Sequence, residues 1–272
     1  MIEDQSYSTL EFLETKEYLR FQEFCTACLR DRYIGLCYGI PGVGKTISAK
    51  QFCNWDLLQE MDQESTIEER KLEIGKKIIT SRSVFYTAPV MNSPNRVNED
   101  LERELFLQRS IIGETCRLFS QRELEVSQRC GLIIIDEADR LNMKSLEGVR
   151  DMYDRSGISI ILIGMPGLER KFSRYPQLYS RIGFAHEYRP IGKDEMFFIL
   201  EHHWKKIGLE LKQDSFADTE AVAAVIRATN GNFRLIHRLF SQIQRIMKIN
   251  ELMSITAEVV DAARSCLVIG SF

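Results

Sequence analysis

Short apolar runs alternate with longer stretches of helical period over the first two thirds of the chain. Residues 33–38 (YIGLCY), 83–88 (SVFYTA), 131–135 (GLIII), 158–163 (ISIILI) and 183–188 (GFAHEY) are predicted strands. Residues 84–86 and 158–163 are rich in β-branched or aromatic side chains, and runs apolar on both faces suit strands buried inside a parallel sheet. Strands separated by helical stretches predict an α/β layer structure.

The segment 15–33 (TKEYLRFQEFCTACLRDRY) reads as an amphipathic helix with Leu19, Phe21, Phe24, Cys28 and Leu29 on one face. A helix is expected from about Lys45, followed by a charge run (EERKLEIGKK) that reads as a solvated helix or loop. Residues 98–125 read as helix with a break at Gly113, which leaves MNSPNRVN as the loop after the second strand. After Pro190 the strand signal stops. Helices are expected at 193–207, 217–229, 232–248 and 256–265, with Asp218 and Thr256 as caps and Asn230-Gly231 as a turn. The organisation that follows is an N-terminal helical segment (1–32), an α/β domain (33–190) and a helical domain (191–272).

Composition adds little to this and removes some classes. Hydrophobic residues make up 44% of 272, enough for a packed core, and the net charge of −3 excludes a uniformly basic nucleic-acid binder but not a local basic patch. The N-terminal stretch has no signal-peptide pattern, and no apolar run approaches the roughly 18 residues of a membrane span. Seven scattered cysteines suit a reducing compartment, so a cytoplasmic protein with no membrane partner is expected. Cys25 and Cys28 form a lone CxxC with no second pair, which reads as core rather than as a zinc or redox site.

Two motifs carry chemistry. GIPGVGKT (Gly39, Ile40, Pro41, Gly42, Val43, Gly44, Lys45 and Thr46) matches the P-loop GxxxxGK[ST] and sits between a strand and a helix, with Ile47 in the first helical turn. Its glycines let backbone N–H groups face phosphate oxygens, Lys45 can reach the β- and γ-phosphates, and the Thr46 hydroxyl can ligate magnesium. LIIIDEADR ends an apolar strand in Asp136 and Glu137. Asp136 is the expected magnesium partner, and Glu137 is placed to polarise a water for attack on the γ-phosphate. ATP and Mg2+ are the expected cofactors, and ATP hydrolysis the expected activity.

This pairing, followed by a helical domain, resembles the AAA+ ATPases. LYSRIGFAHEYRP (178–190) looks like their arginine-finger stretch and GNFRLIHRLF (231–240) like their sensor-2 helix. Together with ITAEVVDAAR and LVIG near the end, the set is similar to the TniB/TnsC group of transposition ATPases. The resemblance implies a parallel sheet with a small helical lid. It implies Arg181 as a finger entering a neighbour's site, with Arg174 as the alternative, and Arg234 as sensor 2. It also implies a homo-oligomer, a ring or a helical filament of about six subunits per turn, on double-stranded DNA, with a transposase and target-selection proteins as partners. Arg96, then Thr115 and Arg117, are the candidate DNA contacts. The sequence departs from the AAA+ pattern at the fourth strand, where Gly164 and Met165 stand in place of a polar sensor-1 residue. A P-loop switch acting on protein partners alone, and a helicase loader, stay open as alternatives.

Overall fold

The computed structural model describes residues 12–61, 68–118, 130–212 and 214–267. They fall into two compact units. One holds Tyr18–Gly39 and Lys45–Tyr188; the other holds Ile40–Gly44 and Arg189–Phe272, together with the described residues up to Glu17.

The first unit is built on five parallel strands: β1 (Ile34–Tyr38), β2 (Ser83–Thr87), β3 (Leu132–Asp136), β4 (Ser159–Gly164) and β5 (Ile182–Glu187). Their order is β2-β3-β4-β1-β5. All residues of β3 and β4 are buried, as expected of central parallel strands, whereas β5 alternates half-buried and exposed positions as a sheet edge does. Each expected strand is present within one residue. Between β1 and β3 runs β4, pairing Tyr38 with Gly164 on one side and Ile135 with Leu162 on the other. The end of β4 therefore sits between the P-loop strand and the acidic strand.

Helix α1 (Lys16–Asp31) packs on this sheet from Tyr18 onward. Phe21, Phe24 and Cys28 are buried, with Phe24 stacked on the His186 ring of β5 at 5.3 Å. Gly35 of β1 makes room for Phe24 and the Cys28 thiol, which a Cβ would strike. Leu19, expected on the buried face, is instead 51% exposed, and Tyr18 and Cys25 complete that face. Cys28 is pushed up to about 12 by burial. Cys25 and Cys28 are both fully buried in this core.

After β1 come α2 (Lys45–Phe52), α3 (Trp55–Met61) and α4 (Glu68–Ser81). The charged segment is helical and only half solvated, since Ile74 and Ile78 are buried against Leu58, Met61 and Ile111. Helix α5 (Pro94–Leu118) runs without a break through Gly113. A glycine costs a helix about 1 kcal/mol, which the burial of Leu101, Leu105 and Ile111 along the same helix outweighs. A 3-10 turn (Ala138–Arg140) follows β3. Next come α6 (Met143–Ser156), α7 (Leu168–Phe172) and α8 (Pro176–Tyr179).

The second unit carries α9 (Lys193–Lys206), α10 (Phe216–Thr229), α11 (Phe233–Ile249) and α12 (Ala257–Ser265). Trp204, Ile236, Leu239, Phe240 and Ile243 lie in its core. Thr256 caps α12 as expected. Asp218 is no cap: Ser215 caps α10, and the Asp218 carboxylate accepts from the Lys212 amide at 2.8 Å. Among the described residues no helix is long and apolar enough to cross a membrane.

Candidate nucleotide site

In the α/β unit, β1 delivers Gly39. Its amide donates to the Gly164 carbonyl at 3.4 Å, and the Tyr188 carbonyl occupies the space a side chain would need. Lys45 opens α2 and is buried; its ammonium donates to the Gly39 carbonyl at 2.5 Å. Burial lowers its proton affinity, and Cys37, Asp136, Glu137 and Asp139 oppose that shift. A cation held half-desolvated among carboxylates is suited to accept phosphate oxygens. The Thr46 hydroxyl donates to Asp136 Oδ2 at 2.6 Å. The bond joins residues 90 positions apart and brings the two expected magnesium groups together. Ile47 is exposed on the same helix.

The middle of the motif, Ile40–Gly44, belongs to the helical unit. Gly42 and Gly44 adopt φ of 86° and 113°, a region open to glycine at no cost. The Pro41 carbonyl accepts from Asn232 Nδ2 at 2.8 Å, and the Gly42 carbonyl from the Arg234 amide at 3.0 Å. Arg234, the expected sensor 2, thus starts α11 against the loop with its side chain exposed. Asn232 also caps α11 by accepting from the Leu235 amide at 3.2 Å. Sequence reasoning misses this double role, because beside Asn230-Gly231 the residue Asn232 looks like one more turn position. Ile40 is partly exposed, and Val43 is buried.

The acidic strand end is wired on every side. Asp136 is buried, and its second oxygen accepts from the Glu137 amide at 2.9 Å. Glu137 sits at φ 55°, a left-handed backbone that a non-glycine residue holds only when its surroundings enforce it. Its carboxylate lies 3.5 Å from Arg140, whose guanidinium also donates to the Ala88 carbonyl at 3.1 Å. The Asp139 carboxylate lies against the end of β4, where the sequence has Gly164 and Met165. It accepts from the Met165 amide at 2.8 Å and fills the space a Cβ on Gly164 would enter. Lys171 anchors the same turn by donating to the Asp139 carbonyl at 2.5 Å and the Leu141 carbonyl at 3.0 Å. A side chain at Gly164 would strike the Asp139 carboxylate.

The remaining expected residues divide. Arg181 pairs in two places with Asp154, Nε to Oδ1 at 2.8 Å and Nη2 to Oδ2 at 3.0 Å. Arg174 is exposed and carries no ion pair among the described residues. Arg96 is not in a loop: it stands in the first turn of α5 with its side chain exposed, 4.0 Å from Asp100. Thr115 is corrected as a surface contact. It is buried, donates to the Ile111 carbonyl at 2.7 Å, and packs against Gly75 of α4, so no phosphate can reach it. Arg117 falls in the last turn of α5, and its side chain lies outside the described residues.

Comparison with known proteins agrees with this geometry. The chain is 46% identical to a "Potential ATP-binding protein" of Staphylococcus aureus over 264 residues, 95% of this chain and 97% of that one. It is 24% identical over 192 residues to the Mu-like prophage FluMu DNA transposition protein B of Haemophilus influenzae; that match takes in 68% of this chain and 51% of the relative. In fold it is similar to the RuvB Holliday junction branch migration motor of Thermotoga maritima, with a TM-score of 0.58 and 16% identity over 95% of this chain and 71% of that one. It is also similar to the Aeropyrum pernix ORC2 protein, with a TM-score of 0.56 and 16% identity over 96% and 71%. A family model described as "AAA domain" matches residues 29–172, more than half of the chain. With the P-loop, the acidic strand end and the five-stranded parallel sheet, this shows that the chain belongs to the AAA domain family of P-loop NTPases.

Proposed function

We propose that this protein is an ATP-dependent regulator of DNA transposition that oligomerises on duplex DNA and recruits or activates a transposase. The observation that carries the nucleotide half is the 2.6 Å bond between Thr46 and Asp136 beside the buried Lys45. A hydroxyl and a carboxylate brought together in this way would hold a magnesium ion, a hard cation that takes oxygen ligands. That ion would neutralise charge as the phosphoryl group departs. Lys45 exchanges its bond to Gly39 for phosphate oxygens. Glu137 accepts the proton of the attacking water, for which its carboxylate must turn from Arg140.

The likeness to a protein named for DNA transposition supports the second half, with only 51% of that relative's length matched. A finger arginine supplied by a neighbouring subunit completes the site in this reading. Arg181 would have to leave its two-point pair with Asp154 to serve, so Arg174, exposed and unpaired among the described residues, is the better supported of the two. Arg234 acts as sensor 2, its backbone bond to Gly42 transmitting loop position into α11.

Electron microscopy with a non-hydrolysable ATP analogue tests this. Rings or filaments that form only with nucleotide and duplex DNA are expected, and Lys45→Ala should abolish them. Nucleotide binding with no DNA-dependent assembly would overturn the transposition reading and leave the protein-directed switch.

A further inference from the structure

Helix α11 contains Arg234, Arg238, Arg245 and Lys248, and not one Asp or Glu among its residues. All four side chains are exposed, and none has an ion pair among the described residues. Some cations on other helices of this acidic chain are answered one turn away, Arg150 by Glu147 and Asp154, Arg155 by Asp151, Lys77 by Glu73 and Lys205 by Glu201, but no other helix gathers this many unanswered cations without an acidic residue among the described residues. At 100° per residue, Arg238, Arg245 and Lys248 fall within about 80° of one another around the helix, over about 15 Å of its length. Lys206, at the end of α9, adds charge to this face; with burial, which acts more strongly, it holds down the proton affinity of His237 on α11.

Resting on the proposal that the protein assembles on DNA, we infer that Arg238, Arg245 and Lys248 on α11 form its phosphate-contacting face. One strand of a duplex presents a phosphate about every 3.4 Å of axis, so 15 Å of helix faces about four of them. The arginine and lysine side chains of the stripe can all donate to phosphate, and phosphate contacts carry no sequence information. An anionic membrane is the less favoured partner. A helix that lies on lipid buries its apolar face in the bilayer. Here Ile236, Leu239, Phe240 and Ile243 on that face are already spent in the core of the helical unit.

The test is fluorescence anisotropy with a labelled duplex of mixed sequence and the non-hydrolysable ATP analogue, in salt from about 50 to 200 mM. The full-length triple variant Arg238→Gln, Arg245→Gln, Lys248→Gln keeps good helix formers at exposed sites, and its thermal unfolding and nucleotide affinity should match wild type. Its DNA affinity is expected to fall at least about tenfold at the lower salt. Its log–log salt slope should fall by between about 2 and 3, at roughly 0.9 for each phosphate no longer neutralised. A control variant without two paired cations, Arg103→Gln with Arg155→Gln, should keep the wild-type slope. An unchanged slope in the triple variant while wild type binds DNA would overturn this assignment and leave the DNA reading standing. Wild type that binds no duplex would overturn both. Vesicles rich in anionic lipid should capture neither protein; capture of wild type in preference to DNA, abolished in the triple variant, would reassign the face to membranes.

Discussion

The two units treat charge in opposite ways. Around the sheet, the groups expected to do chemistry already hold internal partners: Lys45 on the Gly39 carbonyl, Thr46 on Asp136, Glu137 near Arg140, Arg181 on Asp154. In the helical unit, the cations of α11 hold none among the described residues. The first arrangement suits a switch, because nucleotide must displace existing bonds and so can change the positions of the groups that made them. The second suits a standing surface that an incoming polyanion completes.

The largest effect that would sharpen this contrast falls on the wired side. Glu137→Gln should lower steady-state hydrolysis about 10²- to 10⁴-fold, the range of a lost general base, while leaving nucleotide affinity near wild type. Phosphate release and fluorescent-nucleotide titration read the two quantities separately. Equal hydrolysis in the variant would remove Glu137 from the reaction.

Acid should act on the helical unit through His203. That imidazole is buried against Phe240, with ring centroids 4.7 Å apart, and burial lowers its pKa to about 4, with His202, His237 and Lys206 adding to the shift. A lowered folded pKa means the neutral form is the stable one. Stability is complete above the unfolded value of about 6.5 and is lost as pH falls from there through about 4, by about 3 kcal/mol in all. Denaturant midpoints at several pH values would show this slope in wild type. His203→Gln, which cannot titrate, should lack it; the same slope in both would assign acid sensitivity elsewhere.

A smaller effect is expected at the end of β4. Gly164→Ala pushes a methyl group into the Asp139 carboxylate and should cost about 1–3 kcal/mol, as overpacking does, along with altered hydrolysis. Gly157→Ala, in open space but at φ 65°, makes a useful partner variant: its cost is backbone strain, and hydrolysis should not change. The smallest effect is Arg155→Gln. It breaks an exposed pair with Asp151 and should shift stability by less than about 1 kcal/mol.

Local periodicity made most of the fold legible. Strands buried on both faces announce themselves, and the helices after Pro190 fall close to their expected bounds. The P-loop and acidic strand end could be read because their chemistry demands particular residues at particular spacings. What escaped depends on distant neighbours. Gly113 reads as a break because propensity is local, yet packing carries α5 through it. Thr115 reads as exposed until Gly75 of α4 is seen to cover it. Gly164 reads as a missing side chain until Asp139, from a separate turn, is seen against it. The pairing of Arg181 with Asp154, 27 positions earlier, leaves no local trace.

Titration calorimetry of ATP with and without magnesium, on wild type, Lys45→Ala and Asp136→Asn, tests the nucleotide site most directly. The geometry predicts tight binding by wild type that needs magnesium, strongly weakened binding by Lys45→Ala, and loss of the magnesium dependence in Asp136→Asn. Equal, magnesium-independent affinity in all three proteins would contradict it.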